Sequence, residues 1–211
     1  MTNPFKFGSV VEDPFFTNRK KEVEFVSKTL DSNNHLIIIS PRRFGKTSLI
    51  RKVIAETDRK VIYLDVQLTN SVNDFAAQLL KRIYRVWPGE KLRQLVRHFR
   101  IIPNISLNPL SNEVDISFQA KEAETPVLED VFNLLDKIGS EKNRPVVVLD
   151  EFQDIMKLGT GMDKTLRAIM QQHQTVNYVM LGSQESLMRE IFEDKKSPFY
   201  HFGILFPLEK N

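Results

Sequence analysis

Apolar residues recur along the chain with two spacings, and each spacing predicts one kind of secondary structure. Three short segments are apolar at most positions, which is typical of strands covered on both faces of a parallel sheet. Longer segments repeat apolar residues every three or four positions, which is typical of amphipathic helices. The predicted strands cover 35–39, 60–66 and 145–151. The predicted helices cover 17–30, 49–55, 70–86 and 91–99, and a fifth begins at Pro126.

The region 101–120 has a different pattern. Apolar and polar residues largely alternate over 102–107 and again over 114–118. A polar stretch with a proline, 108–112, separates the two runs. Alternation on either side of such a stretch predicts a β-hairpin, which we expect as an insertion on the edge of the main sheet.

Composition narrows the class of protein. A chain of 211 residues with 41% hydrophobic and 27% charged residues suits one soluble α/β domain. The absence of cysteine excludes disulfides, thiolate catalysis and zinc sites built on sulfur. The N-terminus does not resemble a signal peptide, and no apolar run approaches the roughly 20 residues of a membrane helix. We therefore expect a cytoplasmic protein without a membrane segment.

A loop between the first strand and the next helix carries the first chemical signal. It fits the pattern G-x-x-x-x-G-K-[ST], except that Ser40 replaces the first glycine. Such loops surround phosphates with backbone N–H groups at a helix N-terminus. Lys46 is expected to reach the β- and γ-phosphates and the Thr47 hydroxyl to ligate Mg²⁺. The predicted phosphate-binding residues are Ser40, Pro41, Arg42, Arg43, Phe44, Gly45, Lys46, Thr47 and Ser48.

Two carboxylates end the apolar strand 145–151. Ligands gather at the carboxyl ends of parallel strands, so Asp150 and Glu151 are expected beside the phosphate loop. Asp150 is a candidate Mg²⁺ ligand, directly or through water, and Glu151 a candidate base that deprotonates the attacking water. The alternative is a solvated strand end followed by a turn. With the loop about a hundred residues upstream, the acids supply parts that a phosphoryl-transfer site requires.

Three motifs together resemble one family. They are Phe-x-Asn-Arg-x-x-Glu at 16–22, Pro-Arg-Arg-Phe-Gly-Lys-Thr-Ser at 41–48 and Leu-Asp-Glu-Phe-Gln-Asp at 149–154. They look like the archaeal-type ATPases, which belong to the STAND clade of AAA+-related P-loop NTPases. The resemblance implies a three-layer αβα sandwich with parallel strand order 5-1-4-3-2. By the resemblance, 176–183 is a strand inserted between the first strand and the Asp150 strand, and 203–208 is the fifth strand.

The resemblance also implies roles for three further residues. Ser183, at the tip of the inserted strand, matches the family's sensor position, where a polar side chain contacts the γ-phosphate or the water. Its alternative is a helix N-cap, and the two roles are compatible. Phe16 and Arg19 are candidate neighbours of the adenine, with capping and core packing as equal alternatives.

The chain departs from the family pattern in two places. Similar ATPases often carry Pro-Leu-Tyr-Gly-Arg before the last strand, but this chain has Pro-Phe-Tyr-His-Phe at 198–202. An arginine finger contributes about 10³–10⁵ in rate, so unaided turnover is expected to be slow. Arg42 or Arg43 could compensate, or face solvent; otherwise a protein partner or self-association supplies the arginine. The second departure concerns the family's helical or winged-helix lid. We expect residues 1–211 to be a single ATPase core domain, with the lid absent or truncated.

Three functions follow as hypotheses. The first is slow, Mg²⁺-dependent ATP hydrolysis used as a conformational switch. The second is an ATP-binding switch that recognises a partner without significant hydrolysis. The third is a nucleic-acid-associated ATPase that uses the segment 81–100, which has seven Lys or Arg residues and one acid, Glu90. A solvated helical face is the alternative explanation of that segment.

Overall fold

A parallel sheet of five strands forms the centre of the molecule in the computed structural model, which describes residues 19–107, 114–119 and 124–209. Seven strands occur in these ranges. They are β1 (Leu36–Ile39), β2 (Val61–Asp65), β3 (Asn104–Leu107), β4 (Val114–Ser117), β5 (Val146–Asp150), β6 (Asn177–Gly182) and β7 (Ile204–Pro207). All but β3 and β4 belong to the central sheet. The predicted α/β class is confirmed.

The order of the strands brings the two predicted halves of the site together. The sheet runs β2-β5-β6-β1-β7, and all neighbouring pairs are parallel. Numbered 1 to 5 along the chain without the hairpin, this is the order 5-1-4-3-2 that the resemblance implied. The strand β6 lies between β1, which leads into the phosphate loop, and β5, which ends in Asp150. The carboxyl ends of all three meet at one edge.

Helices cover both faces of the sheet. The structure has α1 (Lys20–Asp31), α2 (Lys46–Ala55), α3 (Val72–Val86), α4 (Glu90–Val96), α5 (Glu124–Ile138), α6 (Met162–Met170) and α7 (Glu185–Glu193). Leu36 and Ile38 pack with α1 and α2, whereas Ile37 and Ile39 pack with the core formed by α3, α5, α6 and α7. This alternation along β1 produces the three layers. In the described ranges, no helix combines the length and apolarity needed to cross a membrane.

The predicted hairpin is present, but its predicted position is wrong. The strands β3 and β4 pair antiparallel, with Ile105 opposite Ile116, and form a sheet of their own. The strand β4 packs on α3 and does not extend the edge of the central sheet. The physical reason is the side chain of Ile116, which is buried in the core on the α3 side. The hairpin therefore covers a helix, and together with α4 it forms a lobe beside the central sheet.

Candidate functional site

The loop between β1 and α2 has the backbone of a phosphate-binding turn. Gly45 has φ +86° and directly precedes the first residue of α2, a conformation that glycine adopts without steric cost. The N–H groups of Gly45, Lys46 and Thr47 have no hydrogen-bond acceptor among the described residues. A helix N-terminus with unpaired N–H groups favours an anion. The loop can therefore hold negatively charged oxygens.

Ser40 explains how the loop tolerates the loss of its first glycine. The residue is fully buried, and its backbone N–H donates to the carbonyl oxygen of Gly182 on β6 at 3.3 Å. Ser40 is not among the residues with positive φ, unlike Gly45. A small side chain therefore fits at this position without strain, and the departure from the pattern does not change the loop.

Lys46 and Glu151 form the centre of the site. The Lys46 Nζ atom lies 3.3 Å from Glu151 Oε1, and the two side chains are 8% and 14% exposed. They come from the start of α2 and the residue after β5, two elements 105 positions apart in the chain. The strand order predicted this meeting, and the structure brings both residues together.

The Glu151 carboxylate has two further side-chain partners. Ser183 donates to Oε2 through its hydroxyl at 2.6 Å and its backbone N–H at 3.2 Å, and the Gln153 amide donates at 2.7 Å. Burial alone raises the pKa of Glu151, but the Ser183 and Gln153 hydrogen bonds and the Lys46 charge outweigh it and hold the pKa below its ordinary value. The carboxylate is therefore ionised at neutral pH.

Asp150 is held by a different set of groups. The Thr47 hydroxyl donates to Oδ2 at 3.2 Å, the Tyr63 hydroxyl donates to the same oxygen, and the Glu151 N–H donates to Oδ1 at 2.9 Å. Tyr63 lies on β2, the strand beside β5. Burial, the Asp150 charge and this hydrogen bond raise the pKa of Tyr63, so its phenol stays protonated as a donor. The sequence analysis missed Tyr63, because it looks like any residue of an apolar strand.

The oxygens of Thr47 and Asp150 fit a hard divalent cation. Mg²⁺ takes oxygen ligands and is commonly held by one or two protein groups, together with waters and substrate phosphates. No cluster of three or more His, Cys, Asp or Glu side chains suited to a metal occurs within 19–107, 114–119 and 124–209.

Arg19 connects the phosphate loop to the end of the last strand. Its guanidinium donates to the carbonyl oxygen of Phe44 at 2.9 Å and to that of Glu209 at 3.0 Å, and pairs with Glu22 at 3.2 Å. The side chain is buried. Arg19 thus stabilises the loop, in agreement with the alternative in which it packs within the protein. Phe16, the other candidate neighbour of the adenine, lies outside the described residues.

Other sequence-based interpretations have mixed outcomes. Ser183 does not cap α7, because the capping residue is Gln184 and the Ser183 hydroxyl is bonded to Glu151. The predicted alternative, in which Ser183 is the N-cap of this helix, is therefore wrong. Arg42 and Arg43 are both exposed, and Pro41, Phe44 and Ser48 lie in the loop and first turn of α2 as predicted.

The basic segment 81–100 does not form one continuous cationic face. Arg82 turns inward and donates to the carbonyl oxygen of Tyr63 at 2.7 Å. Arg100 pairs with Glu129 at 2.7 Å and with Asp130 at 3.0 Å. Arg82 and Arg100 are therefore engaged within the protein, and Arg93 and Arg97 each lie 3.9 Å from Glu90, which weakens the case for a nucleic-acid surface.

Comparison with known proteins agrees with the site. Residues 16–201 match a family described as an ATPase domain predominantly from Archaea. An uncharacterised ATP-binding protein of Methanocaldococcus jannaschii is 25% identical over 149 residues, which are 66% of this chain and 40% of that protein.

Solved structures show the same fold. A Walker-type ATPase of Pyrococcus abyssi has TM-score 0.65 and 18% identity, covering 98% of this chain and 57% of that one. The Orc1 protein of Aeropyrum pernix, solved in complex with DNA, has TM-score 0.58 and 13% identity, covering 92% and 46%. The chain thus spans only part of the length of these relatives. Because the family match covers most of its residues, the chain belongs to this family of ATPase domains.

Proposed function

We propose that the chain binds ATP with Mg²⁺ at the edge formed by β1, β5 and β6, and hydrolyses it slowly as a conformational switch. One observation carries the proposal. Lys46 and Thr47 of the phosphate loop contact Glu151 and Asp150, at 3.3 Å and 3.2 Å respectively. Ser183 contacts the same Glu151. A cation, a hydroxyl, two acids and a sensor in one place are the parts that phosphoryl transfer from a nucleotide uses.

The loop supplies the binding energy in this proposal. The free N–H groups at 45–47 and the N-terminus of α2 bind phosphate oxygens, and Lys46 neutralises charge on the β- and γ-phosphates. Residues 40–48 surround the phosphates, and Arg19 holds the loop in shape through the Phe44 carbonyl. These contacts recognise a triphosphate, and adenine is favoured by membership of an ATPase family.

Thr47 and Asp150 are the groups that hold Mg²⁺ in the proposal. The bound cation supplies charge stabilisation for the phosphoryl oxygens. Tyr63 fixes the Asp150 carboxylate by donating a hydrogen bond to Oδ2. The Thr47 hydroxyl and the Glu151 N–H donate to the same carboxylate, so its orientation beside the loop is fixed from three sides.

Glu151 has to change partners during the cycle. In the structure its Oε1 atom is paired with the Lys46 ammonium. When Lys46 turns to phosphate, Oε1 is released and can accept a proton from water, while Ser183 still holds Oε2. Binding of the triphosphate therefore frees Glu151 to take a proton from the water that attacks the γ-phosphate. The same exchange moves the tips of β5 and β6, which is how the nucleotide state is passed to the rest of the domain.

Slow turnover follows from the residues at 198–202. Phe199 and Phe202 are buried there, and no arginine is present in this stretch of the sequence. An arginine supplied by a protein partner or a second copy of the chain accelerates the reaction in this proposal. We assign the chain to the STAND and AAA+-related ATPases on the motifs at 16–22, 41–48 and 149–154. A nucleic-acid-associated ATPase has less support, because Arg82 and Arg100 are engaged within the protein.

The test is the substitution Glu151→Gln. The amide keeps the shape of the side chain but is a far weaker base, so binding of a fluorescent ATP analogue should persist and phosphate release should fall at least about a hundredfold. Glu190→Gln, an exposed residue of α7, is the matched control and should change neither. If Glu151→Gln releases phosphate at the wild-type rate, Glu151 is not the base. If the wild type binds ATP but releases no phosphate, the non-hydrolysing switch is the correct function.

A further inference from the structure

A groove of about 310 Å³ lies between the end of α3, the helix α4 and the β3–β4 hairpin. We call it the hairpin groove. The residues that carry the argument are Tyr84, Arg93, Arg97, Ile102 and Ile105. It is separate from the phosphate loop and shares no residue with the site proposed for ATP.

Aliphatic side chains on one wall of the groove face solvent. Ile102 is 63% exposed and Ile105 is 43% exposed, although both are large apolar residues. Val96, which is buried, and Val114 also line the groove. Adjacent exposed apolar side chains rimmed by charge are typical of an interaction surface.

The groove also contains a buried polar group without a partner. Tyr84 is 6% exposed, and its hydroxyl has no hydrogen-bond partner in the part of the chain that the structure describes. A buried hydroxyl without a partner is unfavourable, so a ligand that accepts its hydrogen bond removes that penalty. Arg93 and Arg97 line the same groove as Tyr84. Burial raises the pKa of Tyr84, and the charges of the two arginines act against this.

The two arginines carry an excess of positive charge. Arg93 and Arg97 are 60% and 73% exposed at their side chains, and each lies 3.9 Å from the same carboxylate, that of Glu90. One acid shared at this distance by two exposed cations neutralises only one of them. The groove therefore combines a hydroxyl donor, a net positive rim and an aliphatic wall.

We propose that the hairpin groove binds a segment of a partner protein in which a carboxylate side chain neighbours aliphatic ones. The carboxylate pairs with Arg93 and Arg97 and accepts the hydrogen bond of Tyr84. The aliphatic side chains pack on Ile102 and Ile105. This surface shares no residue with the nucleotide site, so a test of this proposal does not depend on the proposed ATPase activity.

A protein segment fits this groove better than a nucleic acid does. The exposed wall is aliphatic, whereas surfaces for single-stranded nucleic acid present aromatic rings to successive bases. Two guanidinium groups contact few phosphates, and Arg82 and Arg100 nearby are engaged within the protein. A partner with both acidic and aliphatic side chains complements all three features of the groove.

The proposal can be tested by selecting peptides from a phage-displayed random library of about twelve residues. The wild-type chain is the bait, and the variant Arg93→Glu/Arg97→Glu is the counter-selection. The selected peptides are then synthesised and titrated by fluorescence anisotropy. We expect enrichment of Asp or Glu beside Leu, Ile or Val. Affinity should fall at least about tenfold in the charge-reversed variant and in Ile105→Ser, and by a smaller factor in Tyr84→Phe.

Matched controls separate the groove from general effects. Lys195→Glu/Lys196→Glu makes the same change of charge at two exposed residues elsewhere and should bind the peptides like the wild type. Binding of the fluorescent ATP analogue checks that each variant is folded. Failure to enrich any sequence, or equal binding to the reversed variant, overturns the proposal.

Two other outcomes would assign the hairpin groove to a different kind of partner. In the first, a mixed-sequence single-stranded DNA binds the wild type but not the charge-reversed variant, which would assign the surface to nucleic acid. Self-association in analytical ultracentrifugation that disappears in the reversed variant would assign it to a second copy of the chain. Either result overturns the proposal of a partner-protein segment.

Discussion

The two ends of the central sheet both contain partly buried polar networks, but the networks are built from different partners. At the amino end, Arg59 donates to the carbonyl oxygens of Leu30 and Arg144 and to the Asn177 side chain. Asn177 in turn donates to the carbonyl oxygens of two turn residues, Ser32 and Asn34, at 3.0 Å and 2.9 Å. At the carboxyl end, Lys46, Thr47 and Ser183 pair with the carboxylates that follow β5.

The two networks differ in whether their hydrogen-bond partners can be replaced without unfolding the backbone. A backbone carbonyl at the amino end is fixed by the fold, so the Arg59 contacts can only stabilise the arrangement they are part of. At the carboxyl end the contacts of Lys46, Thr47 and the Ser183 hydroxyl join side chains to side chains. Each of these groups can turn to a phosphate, a cation or a water without unfolding any backbone. We infer that the amino end serves stability and the carboxyl end serves function. The following predictions test this division, beginning with the largest effect.

Lys46→Ala should weaken binding of a fluorescent ATP analogue about a thousandfold, because two charge-assisted contacts to phosphates, about 4 kcal/mol together, are lost. Lys52→Ala removes a lysine from the same helix, whose surface pair with Glu56 spans 3.0 Å, and is the control. It should bind the analogue normally. Equal affinities of Lys46→Ala and the wild type would contradict a functional role for this end of the sheet.

Arg59→Ala should lower the free energy of unfolding by about 2 kcal/mol, measured by urea denaturation. The substitution leaves three acceptors without their donor, and partial exposure of Arg59 lets water replace some of the contacts. The folded variant should bind the ATP analogue like the wild type. Lys60→Ala, the exposed neighbour, should leave stability unchanged. A loss of affinity without a loss of stability in Arg59→Ala would reverse the roles assigned to the two ends.

Much of the carboxyl end could be predicted from sequence, since its signals are local. The loop motif places Lys46 and Thr47 at a helix start, and an apolar strand ending in Asp150 and Glu151 places two acids at a strand tip. The resemblance to a family then supplied the strand order that brings them together. Ser183 was found in the same way.

The contacts that could not be predicted depend on which strands and helices lie side by side and on local backbone geometry. Tyr63 meets Asp150 only because β2 lies beside β5, and a tyrosine in an apolar strand gives no sign of such a contact. Gln153 was quoted within a motif, but its bond to Glu151 depends on the left-handed turn at Glu151, with φ +50°. The hairpin was misplaced for a similar reason: alternation predicts which strands pair, but not that Ile116 packs into the core on the α3 side.

A buried histidine at the amino end of the sheet leads us to expect that the stability of the protein depends on pH. His35 precedes β1, accepts a hydrogen bond on Nδ1 from the Tyr178 N–H and stacks on Phe202. Burial, with smaller effects of the charges of Arg167 and His173, lowers its pKa from 6.5 to about 4. The unfolded state thus binds more protons between these values, so stability should fall as pH decreases from 6.5 toward 4. We expect a loss of about 1.5 kcal/mol between pH 7.5 and 5, after allowance for partial exposure.

Urea denaturation at several pH values measures this effect. His35→Phe keeps the stacking on Phe202 and removes the titrating group, so it should flatten the pH slope even if it lowers stability at neutral pH. His98→Gln, at an exposed position after α4, is the control and should keep the wild-type slope. An unchanged slope in His35→Phe would show that the pH dependence comes from other groups, of which His173 is the first candidate because burial lowers its pKa as well.

Tyr63→Phe is the finest test of the carboxyl end, because it removes one hydroxyl and leaves the ring. Without that donor, the Asp150 Oδ2 atom keeps only Thr47, and the carboxylate is less firmly oriented toward the cation. Loss of such a supporting hydrogen bond typically weakens metal binding by at least tenfold. The Mg²⁺ concentration for half-maximal binding of the ATP analogue should therefore rise about tenfold, while affinity at saturating Mg²⁺ stays near the wild-type value. Tyr84→Phe, which removes the hydroxyl in the hairpin groove, should leave the Mg²⁺ titration unchanged. If both variants shift it equally, the effect is general and Tyr63 does not position Asp150.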